Sequence, residues 1–403
     1  MEPEKAEIKL CKRCKQNEVT MKVRSEAICG TCYHRFANVK TVKRLETLAK
    51  DIGAAPSQTK RILIGLSYGP SSAGLVDILN DQLQGQLRKR PSPMFEPFVV
   101  HIDTTDLLPA VAQQQAAPPP SSPSSILQRY AERYQDMHFS SVPLTDALSL
   151  DTIDWAALHV APSTDADLTP AEKLRDMLDR LPSTTSRADV VRLLVRHLLI
   201  DAALRSECRA MLLGYSTTAL AELTLGETAK GRGFSLPFMV GDGSVVIKRF
   251  PTIVPAQDHQ RIAGEERPNP APTSVWVAYP NRDLFRNELI QYTRLSTPPL
   301  TELLRGDTSE TAPSAVVSHK DVSIDDVISR YFAGVEKHYP AIVANVVRTT
   351  AKLERRSDED KCCGLCGMNL DELGDERWKG EMGDDSTGDE GRLCYGCARA
   401  LHG

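Results

Sequence analysis

Two sets of cysteines have the spacing of metal ligands. Cys11-x2-Cys14 is followed, after fourteen residues, by Cys29-x2-Cys32. Each Cys-x-x-Cys turn presents two thiolates to one ion, and two such turns complete a tetrahedron. Cys363-x2-Cys366 and, twenty-seven residues on, Cys394-x2-Cys397 repeat the pattern. Cys362 precedes the second set, so either Cys362 or Cys363 could supply the first ligand. Zinc is the expected ion at both sites; the competing reading is disulfide pairs, which a reducing cytosol disfavours. Four protein ligands leave no open position, so both sites should be structural. Nine of the ten cysteines are in these terminal sets. The tenth, Cys208, reads as a buried small residue.

A third stretch has the pattern of an anion site. The apolar run Ile62–Leu66 leads into the small residues Ser67-Tyr-Gly69-Pro-Ser71-Ser72, and a helical pattern follows with Leu75, Ile78, Leu79 and Leu83. Strand, small-residue loop and helix N-terminus together offer free N–H groups and a helix dipole to a phosphate. A loop of this kind also occurs with no ligand at all. Ser67, Gly69, Ser71 and Ser72 are the candidate cofactor-binding residues. Lys230-Gly-Arg232-Gly233 predicts an exposed turn whose arginine contacts phosphate or merely closes a loop. The segment Tyr33–Lys50 predicts a helix with Phe36, Val39, Val42 (or Lys43), Leu45 and Leu48 on an apolar side. Arg35, Lys40, Lys43 and Arg44 make its other side basic, either as a solvated face or as a phosphate-contacting one. His197, on the broad apolar side of a helix, reads as a packed residue rather than a base.

The elements that must position these groups alternate in type. Strands are expected at Ile62–Leu66, Phe98–Asp103, His138–Val142, Arg209–Gly214 and Val245–Phe250, and helices at Leu75–Arg88, Ile126–Tyr134, Ala188–Leu204 and Thr218–Thr228. This order predicts an α/β fold with a largely parallel sheet and helices on both faces. Residues 276–294 read as a strand into a helix capped by Asn281 or Asp283. Helices Ile324–Phe332 and Ala341–Leu353 break before Pro340, with apolar spacing suited to the main domain or a partner. The expected division is 1–55 for an N-terminal zinc module with its basic helix, 56–300 for the α/β domain, 301–356 for a linker and helices, and 357–403 for a C-terminal zinc-ribbon-like module. The low-complexity stretch 111–125 and the polar stretch 253–274 read as insertions.

With 403 residues, 41% of them hydrophobic and 25% charged, the chain reads as globular with two or three domains. No apolar stretch is long enough to span a bilayer. Met1-Glu-Pro-Glu-Lys5 lacks an apolar signal core, so the cytoplasm is the expected compartment, with no membrane partner. A net charge of −4 excludes a uniformly basic nucleic-acid-binding surface. The charge is uneven. Residues 1–50 hold twelve Lys/Arg against six acids, and residues 357–391 hold three against twelve.

Taken together, the terminal cysteine sets, Gly65-Leu-Ser67-Tyr-Gly69-Pro-Ser71-Ser72, Lys230-Gly-Arg-Gly-Phe234 and Asn281-Arg-Asp-Leu-Phe-Arg-Asn-Glu-Leu-Ile-Gln-Tyr292 resemble the cytoplasmic tRNA 2-thiolation protein 2 family over nearly the whole chain. The resemblance implies an α/β fold of the PP-loop, adenine-nucleotide α-hydrolase-like (HUP) type. It also implies a part in placing sulfur on C2 of the wobble uridine of tRNA-Lys, tRNA-Glu and tRNA-Gln. In that family the protein pairs with a catalytic thiolase paralogue, and a thiocarboxylated ubiquitin-related modifier supplies the sulfur. The ATP-dependent paralogue carries Ser-Gly-Gly-x-Asp-Ser in the loop; here Tyr68 replaces a glycine and Ser71 the aspartate. Its Gly-His-Asn-x-Asp-Asp segment is here Gly214-Tyr-Ser-Thr-Thr-Ala219, with neither acid nor histidine. Cys208 alone cannot supply the several thiolates of an iron–sulfur cluster. The expectation is therefore a non-catalytic, tRNA-binding partner subunit, with ATP not expected as its cofactor and with Arg35, Lys40, Lys43, Arg44 and Arg232 as candidate tRNA contacts. Two alternatives stand beside it: an active ATP-dependent adenylating sulfurtransferase, and an adaptor for ubiquitin-like protein modification.

Overall fold

The computed structural model describes residues 9–53, 59–107, 122–250, 274–305, 322–355, 362–370 and 393–402. The stretch 111–121, residues 253–273, the linker 306–321 and the acidic segment 371–391 lie outside them.

A six-stranded sheet forms the centre. Its strands are β3 (Lys60–Gly65), β4 (Phe95–Asp103), β5 (His138–Pro143), β6 (Ala210–Leu213), β7 (Gly243–Val246) and β8 (Ser274–Ala278), in the order β5-β4-β3-β6-β8-β7. All neighbours run parallel except β7, which is antiparallel to β8. The expected strand 245–250 is therefore shorter and shifted. Past Val246 the chain turns away, and Arg249 pairs with Asp151 at 2.6 Å. The buried parts of β3 (Ile62–Ile64) and β6 (Ala210–Leu213) are continuous apolar runs, as strands covered on both faces must be, and β4 is apolar through Phe98, Val99 and Val100.

Helix α1 (Gly30–Asp51) and a small hairpin, β1 (Met21–Val23) with β2 (Glu26–Ile28), form the N-terminal part. The other helices are α2 (Pro70–Leu87), α3 (Pro123–Arg133), α4 (Pro170–Asp179), α5 (Thr184–Arg205), α6 (Thr217–Ala229), α7 (Leu236–Val240), α8 (Arg286–Leu295), α9 (Ile324–His338), α10 (Pro340–Thr350) and α11 (Tyr395–His402). The sheet separates two apolar cores. One holds α2, α3 and α8 with the N-terminal cysteines, and the other holds α5, α6, α9 and α10 with the C-terminal cysteines. Helix α4, which the periodicity reading overlooked, starts with a capping box in which Thr169 and Glu172 satisfy each other's backbone N–H groups. Helix α8 is capped neither by Asn281 nor by Asp283: Glu288 reaches back to the Phe285 N–H at 2.9 Å. Asn281 is fully buried instead. It accepts from Thr41 Oγ1 at 2.9 Å and donates to the Ser71 carbonyl at 2.9 Å.

Strand order reverses between β3 and β6, where an open α/β sheet offers its ligand crevice at the strands' carboxyl ends. The two loops that border this crevice touch. A Cβ placed on Gly214, just after β6, would lie 2.7 Å from Ser72 Cα and 2.8 Å from the Ser71 carbonyl oxygen. Both obstacles are backbone, so neither can swing aside. Gly214→Ala should lower stability by roughly 1–3 kcal/mol in urea unfolding, and an unchanged midpoint would mean that the loops separate in solution.

Candidate functional site

The loop after β3 folds upon itself. Ser72 Oγ receives the Ser67 N–H at 3.3 Å, lies 3.2 Å from Ser67 Oγ and donates to the Gly69 carbonyl at 3.1 Å. Tyr68 adopts a left-handed φ of +59°, which is costly for a bulky residue. Its side chain is buried, donates to the Pro123 carbonyl at 2.9 Å and lies 4.1 Å, ring to ring, from His101. Tyr130 follows in the same aromatic stack. The loop after β6 is likewise engaged: Ser216 caps α6, Thr217 Oγ1 donates to the Arg282 carbonyl, and Thr218 Oγ1 donates to Glu336 at 2.6 Å. Ser67, Gly69, Ser71 and Ser72 thus share one loop, with the Ser67 and Ser72 hydroxyls and the Gly69 and Ser71 carbonyls bonded within the protein.

Both cysteine sets assemble. The sulfurs of Cys11, Cys14, Cys29 and Cys32 lie within 4.8 Å of one another, as do those of Cys363, Cys366, Cys394 and Cys397. A tetrahedral ion with metal–sulfur bonds of about 2.3 Å sets its ligands roughly 3.8 Å apart. Cys14–Cys29 is 3.8 Å and Cys366–Cys394 is 3.9 Å. Each set therefore fits one tetrahedral ion. A cubane cluster, whose thiolates sit on different irons, needs wider spacing. The neutral protein alone balances these groups poorly. Burial pushes the Cys11 thiol up, but the N–H groups of Cys14, Cys29 and Arg13 outweigh it and bring it down to about 6. Burial and the sulfurs of Cys29 and Cys11 then push Cys32 up to about 12. Four thiols this close cannot all ionise without a cation, which is the electrostatic demand a bound metal meets. Cys363 takes the ligand position. Cys362 Sγ is 3.5 Å from Asn369 Oδ1, outside the cluster.

The N-terminal cluster is welded to the body by segment 281–292. Arg44 pairs with Asp283 at 2.7 Å, Arg24 with Glu288 at 2.8 Å, and the Tyr33 hydroxyl donates to the Glu288 carbonyl. This docking selects the buried face of α1. Tyr33, Ala37, Thr41 and Leu48 face inward, while Val39, expected on the apolar side, is 44% exposed. Of the expected basic face, Arg35 and Lys43 are exposed and make no ion pair among the described residues. Lys40 is half-buried beside Phe36, and Arg44 is committed to Asp283. Arg13, Arg24 and Lys40 converge on the Phe36 ring at 5.2, 5.4 and 5.5 Å, a cluster that spacing alone did not reveal.

Arg232 corrects the expectation of an exposed turn. It is wholly buried, with Nη2 2.5 Å from Asp189 and Nε 2.7 Å from Glu227. Arg192 and Lys230 pair with the same two carboxylates, and Lys230 also reaches Asp325 at 3.0 Å. Withdrawing Arg232 would leave Asp189 and Glu227 buried with uncompensated charge, which is strongly destabilising. Arg232 is therefore unavailable to a nucleic acid. His197 is packed, as expected: it bonds Thr152 Oγ1 at 2.9 Å and the Leu365 carbonyl at 2.8 Å, and burial draws its pKa down to about 4. Cys208 is buried and its thiol is pushed up to about 12, also by burial.

Comparison with known proteins fits this architecture. The chain is 34% identical to cytoplasmic tRNA 2-thiolation protein 2 of Phaeosphaeria nodorum over 402 residues, covering 97% of this chain and 94% of the relative. It is 35% identical to the protein of the same name from Pyrenophora tritici-repentis over 399 residues, with the same coverages. The chain belongs to the cytoplasmic tRNA 2-thiolation protein 2 family. The family model of that description matches residues 323–386, which begin at the Ser323 cap of α9. Among solved structures, the U34-tRNA thiolase NcsA from Methanococcus maripaludis, solved with its [4Fe-4S] cluster, is similar in fold. Its TM-score is 0.50 at 14% identity, over 89% of this chain and 95% of that one. This family member thus shares the α/β fold of that structure, with a mostly parallel sheet and a four-cysteine cluster toward each end.

Two outcomes follow from these sites. Elemental analysis of the purified family member should find two ions per chain; Cys363→Ser should remove one, and Cys362→Ser should keep both. The charge cluster sets an acid limit. Burial pushes Glu227 up, but Arg192, Arg232 and Lys230 outweigh it and hold its pKa down to about 2 from 4.5. A carboxylate depressed in this way contributes stability that is fully present above about 4.5 and is lost as pH falls through about 2. Glu227→Gln should cost roughly 3–5 kcal/mol at neutral pH and flatten the loss between pH 4.5 and 2; an unchanged acid limb of the unfolding curve would refute this role.

Proposed function

We propose that this chain is a non-catalytic subunit of the cytoplasmic complex that 2-thiolates wobble uridine 34 of tRNA-Lys, tRNA-Glu and tRNA-Gln. It pairs with a catalytic thiolase paralogue that carries the intact loop, and the sulfur comes from a thiocarboxylated ubiquitin-related modifier. The observation that carries this reading is the closed crevice. Tyr68 stands where a glycine is expected and turns its ring into the core beside His101 and Tyr130, Ser67 and Ser72 bond each other, and Gly214 lies against the Ser71 and Ser72 backbone at the mouth of the loop. The single central thiol, Cys208, is buried and held in its neutral form, which supports a subunit that transfers no sulfur itself.

In this reading both cysteine clusters hold structural zinc. The N-terminal cluster and α1 face tRNA, with Arg35 and Lys43 free for phosphates and Lys40 beside the Arg13–Arg24–Phe36 group. The partner docks on the outer face of α9 and α10. There Val327, Tyr331, Tyr339, Ile342 and Leu353 are 47–63% exposed, a concentration of apolar surface typical of an interface. No helix among the described residues is long and apolar enough to cross a membrane.

The test is the 2-thiouridine content of tRNA-Lys, read on mercury-containing gels, in cells lacking the protein. Thiolation should vanish and return with the wild-type chain. Ser67→Ala combined with Ser72→Ala should also restore it. Arg35→Glu with Lys43→Glu should restore much less, and Tyr331→Glu with Ile342→Glu should fail and lose the thiolase subunit on purification. Persistent thiolation without the protein would end the family-based reading. Failure of the folded serine variant, or tight ATP binding by the isolated chain, would favour an active adenylating subunit instead.

A further inference from the structure

The turn Lys230–Gly233 between α6 and α7 meets the C-terminal cysteine cluster directly. Arg232 Nη1 is 3.8 Å from Cys397 Sγ, within reach of an N–H···S hydrogen bond. The two pieces of chain lie against each other at two glycines, Gly231 and Gly396. A Cβ on Gly396 would fall 2.5 Å from both Arg232 Cγ and the Lys230 carbonyl oxygen, and one on Gly231, which has φ of +84°, would run into the Tyr395 ring. The Arg232 fork is thus used on every side: Nε on Glu227, Nη2 on Asp189 and Nη1 on sulfur. Cys397 itself is fully buried, so water cannot replace this donor.

Four thiolates on one divalent ion leave a surplus of two negative charges, and in a buried site that surplus needs fixed partners. The N–H of Cys394 supplies one, donating to Cys363 Sγ at 3.3 Å. The three cations Arg192, Lys230 and Arg232 are matched in number by Asp189, Glu227 and Asp325, so the cluster is balanced in itself. Arg232 alone of the three cations turns an N–H toward the sulfur, at 3.8 Å.

We infer that Arg232 is a positioning residue of the C-terminal metal centre: it offsets the thiolate charge through Cys397 and fastens the centre to the α5–α6 body. The inference rests on the four-cysteine cluster binding a metal and not on the thiolation reading. Groups that hydrogen-bond metal ligands set affinity and release, typically by 10–100-fold. The N-terminal cluster, where the neutral Asn17 amide lies 3.6 Å from Cys29 Sγ, serves as a reference within the same molecule.

The experiment measures metal transfer from the folded full-length protein to a chromogenic chelator, alongside thermal unfolding with and without chelator. In Arg232→Met, one of the two ions should leave at least tenfold faster, and the other should leave at the wild-type rate. Asp189→Asn weakens the charge cluster but leaves the arginine facing Cys397, so it should lower the unfolding temperature with little change in release. If Arg232→Met does not fold, Arg232→Lys takes its place. It keeps the charge but cannot serve two carboxylates and a sulfur at once, so its release should still exceed that of Asp189→Asn. Wild-type release from folded Arg232→Met, or equal acceleration by Asp189→Asn and the Arg232 variant, would reduce Arg232 to a structural ion-pair residue and overturn the inference.

Discussion

Asp189 and Glu227 lie on different helices and are almost without solvent contact, so their charges must be met by the protein. Arg192 reaches them from α5, Lys230 and Arg232 reach them from the end of α6, and Lys230 carries the connection to Asp325 at the start of α9. Through Arg232 the same cluster touches Cys397. Four elements distant in sequence, α5, α6 with the turn that follows it, α9 and α11, are therefore tied together. Apolar residues of the same volume could hold the helices together as well or better. What the ions add is uniqueness of arrangement, because a helix that slips by one turn leaves a bare charge in the core.

A second junction does the same work at the other end. The segment Asn281–Tyr292 carries one polar side chain for each neighbour that it fixes. Asn281 holds Thr41 and the loop carbonyl of Ser71, Arg282 meets Asp242 at 2.9 Å, Arg286 meets Glu222, and Tyr292 donates to Asp77 at 2.8 Å. A run that reads in one dimension as a charged helix start is, in three dimensions, the seam between the N-terminal cysteine module, the loop and the sheet. The docking takes Arg44 out of the basic face of α1 by pairing it with Asp283, and leaves Arg35 and Lys43 exposed.

The crevice between β3 and β6 lies at the switch point of the sheet, and the two loops that border it lie against each other and are bonded to the body. Sheet order, loop position and helix N-terminus all follow the nucleotide-binding plan. Within that plan the Ser67 and Ser72 hydroxyls bond each other and the Tyr68 ring packs into the core beneath the loop. The strained φ of Tyr68 is held by its hydroxyl's bond to the Pro123 carbonyl and by the stack with His101 and Tyr130. Such a loop braces the sheet's switch point.

The sequence alone determined the metal-ligand sets, because Cys-x-x-Cys spacing fixes local geometry whatever surrounds it. It also determined the strand–helix alternation, since buried parallel strands must be apolar throughout and α2, α5 and α6 carry clear helical patterns. The altered loop was legible as well, from Tyr68 and Ser71 standing where a glycine and an acid are expected. Only the tertiary structure decided the rest. Gly-Arg232-Gly looks the same in sequence whether the arginine meets solvent or two buried carboxylates; the partners are 43 and 5 residues away, and the first is beyond any local pattern. Val39 faces outward for the same reason: the helical period shows that α1 has an inner face, but its docking partner chooses which one. Cys363 was separated from Cys362 by the turn that places its sulfur among the other three. Spacing constrains what a few bonded neighbours can do, whereas burial and charge pairing are set by whatever the fold brings from elsewhere in the chain.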